Sequence, residues 1–85
     1  MPQVEIYTSP TCGYCHAAKR LLTAKGVPFA EVDVVRHPDR RPEMVRRAKG
    51  RTTVPQIFIG GSHVGGCDDL YLLEDAGRLD ALLAA

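Results

Sequence analysis

The sequence predicts an α/β fold, a mixed four-stranded sheet with helices on both faces, in the order β-α-β-α-β-β-α. Three observations predict it. Short stretches of β-forming residues alternate over 4–7, 29–34 and 55–59. Between them, apolar residues recur at helical spacing over 14–25, 40–49 and 67–76. Glycine and proline punctuate the boundaries. The chain has 85 residues, which leaves room for one domain, 1–85, and not for a second core. A domain of this size has a stability on the order of 5 kcal/mol. Trp is absent and there are only three Tyr and two Phe, so the core is expected to be mainly Val, Ile, Leu and Ala.

The elements follow in order. Val4-Glu5-Ile6-Tyr7 reads as the first strand, and Thr8 to Thr11, with Pro10, as a loop. From Tyr14 to Lys25 the pattern is helical, with Ala17, Ala18, Leu21 and Leu22 on one face, and Gly26 and Pro28 end it. Phe29 to Val34 alternates as a second strand, and His37-Pro38-Asp39 forms a turn. A second helix is expected from Arg40 to Lys49, with Met44, Val45 and Ala48 inward and Gly50 as its stop. Pro55 to Ile59 is a strand, Gly60-Gly61 a two-residue hairpin turn, and His63-Val64-Gly65 its partner. A third helix starts near Cys67 or Asp68 and runs to Ala76, and Leu79 to Leu83 makes a short last one. A helix joins the first two strands, so they should lie parallel with a right-handed crossover. The last two strands form an antiparallel hairpin. This arrangement is a thioredoxin-like fold.

Net charge is +1, but it is unevenly placed. Arg36, Arg40, Arg41, Arg46, Arg47, Lys49 and Arg51 crowd one stretch, and Asp68, Asp69, Glu74, Asp75 and Asp80 crowd another. These read either as solvated helix faces or as a basic rim for an anionic ligand. Nucleic-acid binding is not expected, because the balance is near neutral and no aromatics interleave with the arginines. No apolar run reaches membrane-spanning length, so no membrane association is expected. Met-Pro-Gln-Val-Glu carries neither a basic n-region nor an apolar h-region, which gives the expectation of a cytoplasmic protein. Thiols are kept reduced there, and three cysteines suit a catalytic or metal-binding pair better than a disulfide scaffold.

Cys12 and Cys15 fall at the junction of the first strand and first helix. Two thiols three residues apart can close a disulfide ring across one helical turn. The partial positive charge and free N–H groups of a helix N-terminus favour a thiolate. In such sites the first cysteine falls from about 8.5 into a range of roughly 3.5–7.5. Cys12 is then the nucleophile, and Cys15, one turn in, resolves the mixed disulfide formed on it. Two other readings stay open on the residues alone. Cys12-Gly13-Tyr14-Cys15-His16 also matches a haem-attachment motif, and the pair with Cys67 and a histidine could take zinc.

Four blocks extend the motif: Val4-Glu5-Ile6-Tyr7-Thr8, Thr11-Cys12-Gly13-Tyr14-Cys15, Arg51 through Ile59, and Gly65-Gly66-Cys67-Asp68-Asp69-Leu70. In their order and spacing the chain resembles a glutaredoxin of the short bacterial dithiol type over nearly its whole length. The resemblance implies a glutathione-dependent disulfide oxidoreductase with Cys12 and Cys15 catalytic. It implies a cis bond between Val54 and Pro55, with the Val54 backbone beside Cys12. It places glutathione on Tyr14, Thr53, Val54, Pro55, Gly66, Cys67 and Asp68. There the backbone N–H groups of Cys67 and Asp68 hold the γ-glutamyl carboxylate and the Asp68 side chain meets the ammonium; Asp68 can serve as a plain N-cap at the same time. The Cys67 thiol itself is expected to be a small buried filler. His16, His37 and His63 receive no role.

Two positions depart from the family. Ser9 stands where many relatives carry a Lys that holds the glycine carboxylate of glutathione, and an arginine of the basic stretch, with Arg40 and Arg41 as first candidates, is the expected substitute. Gly13 stands where dithiol members usually have Pro. No metal is expected for the enzyme. The alternative is a dimer that holds a [2Fe–2S] cluster through Cys12 of each chain and two glutathiones, as cluster carrier or sensor. Without a cluster a monomer is expected, with glutathionylated or disulfide-containing proteins as partners.

Overall fold

The computed structural model describes residues 2–85. The first strand, β1 (Val4–Thr8), lies inside the sheet, where β-branched Val4 and Ile6 turn to one face and Glu5 and Tyr7 to the other. Helix α1 (Gly13–Ala24) crosses over to β2 (Ala30–Asp33), which pairs parallel with β1. On the other side of β1, β3 (Gln56–Ile59) runs antiparallel, and β4 (Ser62–Gly65) pairs antiparallel with β3 at the edge. The order β2-β1-β3-β4 is the mixed four-stranded sheet expected from the sequence. Gly60 and Gly61 turn the hairpin with φ of 60° and 82°, values a two-residue turn of this hand requires and glycine adopts freely.

Several boundaries move, each for a local reason. β2 stops at Asp33 because the Asp33 carboxylate accepts the N–H groups of Val35 and Arg36 at 2.9 and 3.1 Å and turns the chain. β3 begins at Gln56, since Pro55 has no N–H for the ladder. The expected turn at His37-Pro38-Asp39 becomes a 3-10 turn over Pro38–Arg40, and α2 occupies only Arg41–Arg47. Lys49 and Gly50 both adopt positive φ, and the Gly50 N–H returns to the Val45 carbonyl at 2.9 Å, which closes that helix two residues before the sequence suggests. Helix α3 (Cys67–Asp75) and the short α4 (Leu79–Ala84) complete the chain.

The sheet separates two cores. Under α1, α3 and α4, Val4, Ile6, Ile57 and Ile59 meet Ala18, Leu22, Leu70, Leu79 and Leu83. Leu22 is fully buried, and its truncation to Ala would cost about 2–5 kcal/mol. Val, Ile, Leu and Ala make up most of the buried apolar residues, as expected, and the opposite core adds two aromatic rings to them. Its centre is Tyr7 edge-on to Phe58 with ring centroids 5.7 Å apart, packed with Val34, Met44 and Ala48. Tyr7 can be fully buried because its hydroxyl is satisfied: it donates to Glu43 and accepts from Arg47 Nη1 at 2.8 Å. Arg47 also holds Glu5 with both terminal guanidinium nitrogens, at 2.9 and 3.1 Å, and stacks 4.2 Å above the Phe58 ring. Among the described residues no helix is long and apolar enough to cross a membrane.

Candidate functional site

Helix α1 begins at the end of β1, and Cys12 is its N-cap, with extended backbone (φ −95°, ψ 108°). The Cys12 sulfur accepts the Cys15 N–H at 3.0 Å, the role a Ser or Asp oxygen plays at other helix starts. Cys15 sits in the first turn, fully buried, and the two sulfurs are joined as a disulfide. The Cys12 Sγ also lies 3.6 Å from the Val54 carbonyl oxygen, which belongs to the loop before β3. The Val54–Pro55 bond is cis.

That loop forms one wall of a cavity of about 400 Å³ beside the dithiol. Thr53, Val54 and Pro55 line this wall, Gly66, Cys67 and Asp68 at the start of α3 line the facing one, and Tyr14 from α1 stands at the rim. The structure thus brings together all seven non-cysteine-pair positions singled out from the sequence. Tyr14 is 74% exposed, so it is both a surface aromatic and a cavity residue. The close approach of the two walls depends on small residues. At Gly65 (φ +120°) a Cβ would collide with the Asp69 carboxylate and come within 2.8 Å of the Arg51 guanidinium.

Helix α3 starts at Cys67, one of the two positions expected, and only its cap differs. Asp68 is not its N-cap: Gly66 is, and Asp68 stands exposed in the first turn. The capping carboxylate is Asp69, whose Oδ2 accepts the Gly66 N–H at 2.9 Å. Gly66 has no side chain with which to cap, so the residue three positions on reaches back. The same oxygen holds Arg51 Nη1 at 2.9 Å, and both contacts, Arg51 foremost, keep the Asp69 carboxyl below its ordinary range. Cys67 is 8% exposed and free. Burial, helped by the neighbouring Asp68 charge and opposed by Arg20, raises its thiol above the usual value.

Arg51, a member of the basic stretch that was not singled out within it, also lines the cavity and opens the Arg51-Thr52-Thr53-Val54-Pro55 block. The first candidates, Arg40 and Arg41, do not line this cavity. Arg40 forks onto Glu43 at 2.9 and 3.1 Å, and Arg41 donates to the Thr52 carbonyl at 2.7 Å. The basic stretch therefore divides, with Arg47 turned toward the sheet and Arg51 toward the cavity.

A dithiol at a helix start, a cavity beside it and a loop carbonyl at the sulfur are the parts of a thiol–disulfide exchange site. The glutaredoxin family model matches residues 4–64 of the chain. The chain belongs to the glutaredoxin family. It is 58% identical to "Glutaredoxin 3" of Escherichia coli strain K12, over 98% of this chain and 99% of the relative. The solution structure of a glutaredoxin from Brucella melitensis superimposes with a TM-score of 0.84 at 59% identity, covering 98% of this chain and 89% of that one. A buckwheat glutaredoxin–glutathione complex superimposes with a TM-score of 0.89 at 27% identity, covering 98% and 77%. Membership in this family makes the chain a thiol–disulfide oxidoreductase, with the thioredoxin-like fold expected from its element order.

Proposed function

We propose that this glutaredoxin, acting as one domain over 1–85, reduces glutathione mixed disulfides and protein disulfides at the expense of glutathione in a reducing cytoplasm. The observation that carries the reading is the cavity. Its walls offer backbone at Val54 and the first N–H groups of α3, and it opens beside the one sulfur of the site that is not fully enclosed. An extended peptide can pair with the Val54 backbone as an added strand does, and a carboxylate suits a helix N-terminus. The buckwheat relative of the same fold is a glutathione complex.

In the reduced protein the Cys15 N–H and the α1 N-terminus favour the Cys12 thiolate. That thiolate attacks the glutathione sulfur of a mixed disulfide and expels the protein thiolate, leaving Cys12 joined to glutathione. A second glutathione thiolate attacks that sulfur, releases oxidised glutathione and regenerates Cys12. With a protein disulfide, Cys12 attacks one sulfur, and Cys15 then attacks Cys12 and expels the second protein thiolate. That step leaves Cys12 and Cys15 joined, a pairing their placement allows, and two glutathiones would reduce it. Glutathionylated peptide reduction, coupled to glutathione reductase, tests the division of labour. Cys12→Ser should fall to background while Cys15→Ser stays active; equal loss in both would overturn it.

A second reading rests on Gly13 and the sulfurs. Cys15 and Cys67 are enclosed, so Cys12 is the thiolate a second copy could reach, and no Cβ neighbour crowds Gly13. Among the described residues no three His, Cys, Asp or Glu side chains form a metal site, so a [2Fe–2S] cluster would have to be shared between two chains. Its chemistry would be electron or cluster transfer with Cys12 as the protein ligand.

A further inference from the structure

Gln56 is a polar side chain with no exposure at the start of β3. Its Nε2 donates to the Thr53 carbonyl at 3.0 Å and to the Thr53 hydroxyl at 3.3 Å. Both acceptors belong to the loop that lines the cavity, one residue from the carbonyl beside Cys12. Those two contacts fix the orientation of the amide, because only its nitrogen can donate to a carbonyl. Its Oε1 must then accept, and the partner is His63 Nε2 at 2.7 Å. His63 therefore carries a proton on Nε2.

His63 is itself held in place. It stands on the edge strand β4, opposite Phe58, where the register slips between Ile57 and Phe58 and one strand carries an extra residue. Its ring packs against Phe58 with centroids 5.1 Å apart. Burial first, then the charges of Arg51 and Lys49, lower its pKa against a smaller opposite pull from Asp69. The neutral ring protonated on Nε2 is thus the form that serves Gln56 at neutral pH. Without it, a carbonyl oxygen in the sheet interior loses its donor, an unsatisfied group that a protein interior tolerates poorly.

We infer that His63, acting through Gln56, is a positioning residue that holds Thr53 and the cavity loop in the geometry that receives the substrate. The two side chains touch neither sulfur. Their contribution is to the resting place of the Thr53 carbonyl and hydroxyl, and so to substrate capture rather than to sulfur exchange. This inference rests on the glutathione reading only for its kinetic consequence.

Kinetics and NMR spectroscopy together test it. With a glutathionylated peptide, His63→Phe and Gln56→Leu should each raise KM about fivefold, the size of one lost hydrogen bond, while kcat stays within twofold. His63→Gln supplies an amide donor to the same oxygen and should restore KM to within twofold of the parent. A purely structural role would lower kcat and folded fraction together, and His63→Gln would not rescue it; that pattern overturns the inference. In the reduced proteins, without glutathione, His63→Phe should shift the Thr53 and Val54 amide resonances and His63→Gln should return them. Unmoved resonances overturn the relay whatever the substrate is. If the parent fails to reduce the mixed disulfide, the proposed function falls and the resonances alone decide the relay.

Discussion

Two helices start at the same cavity, each with a cysteine at its beginning, yet the two sulfurs sit in opposite surroundings. Cys12 is the cap of α1: its sulfur lies outside the helix, accepts an N–H and borders a groove. Cys67 is the first residue inside α3, with its sulfur packed against the aliphatic core and its thiol raised by burial. The helix N-terminus is common to both, so it alone does not make a reactive thiolate. One residue of displacement, from cap to first turn, moves the sulfur from the polar side of the terminus to the apolar one. At α3 the terminus is left free of sulfur, and its first residues line the cavity.

The strongest way to break this comparison is to let the two thiols compete for one reagent. In the reduced protein at neutral pH, iodoacetamide should modify Cys12 at least about a hundredfold faster than Cys67, since thiolate fraction and access both favour it. Mass spectrometry of partly alkylated protein reads the ratio. Comparable rates at the two sites would mean that the raised thiol and burial of Cys67 do not protect it.

A smaller effect separates the caps. α1 is capped by sulfur and has no acidic residue in its first turn, whereas α3 is capped by the Asp69 carboxylate, itself held by Arg51. The Asp69 carboxyl lies below its ordinary range in the folded protein, Arg51 being the larger cause and the Gly66 N–H the second. A folded value below the unfolded one stabilises above the unfolded value, about pH 3.9, and the contribution is lost as pH falls through the folded value. Asp69→Asn should therefore cost about 1 kcal/mol at pH 7, a fall in Tm of several degrees for a domain of this size. The deficit should shrink as pH drops from 6 to 3. Thermal melts at both ends check it, and a deficit that grows in acid would show that the carboxylate is not the cap.

How much of this was legible in the sequence follows range of interaction. The strands, helices and hairpin rest on local spacing and the Cys12–Cys15 pair on a short motif, so they could be read directly, whereas the residues of the two cavity walls came only from the resemblance to the family. Asp69 as cap could also have been found, because a glycine cap with a carboxylate three residues on is a local signature. The buried Tyr7 could not: its partners Glu43 and Arg47 lie 36 and 40 residues away, and only the fold brings them in. Arg51 was invisible for a related reason. Within a run of arginines, composition shows the charge, but only the packing of the loop against α3 shows which guanidinium faces the cavity.

The smallest expected effect lies at Gly13, between Cys12 and Tyr14 at the start of α1. Gly13 is the first residue of α1, its φ is not in the left-handed region, and a Cβ there would meet nothing within 4 Å. The fold therefore does not require glycine. Proline is favoured at this helical position, where its missing N–H costs nothing and its fixed φ restricts the unfolded chain. Gly13→Pro should keep the disulfide exchange activity within a few-fold and raise stability by up to about 1 kcal/mol, read as a small rise in Tm. The same variant sharpens the second functional reading. If Gly13 serves a shared cluster, anaerobically purified parent protein should carry visible iron–sulfur absorption and elute as a dimer with glutathione, and Gly13→Pro should lose both while its Tm rises. A colourless parent would leave Gly13 as a site of backbone freedom at the cap of α1, and it would confine the chemistry of Cys12 to sulfur.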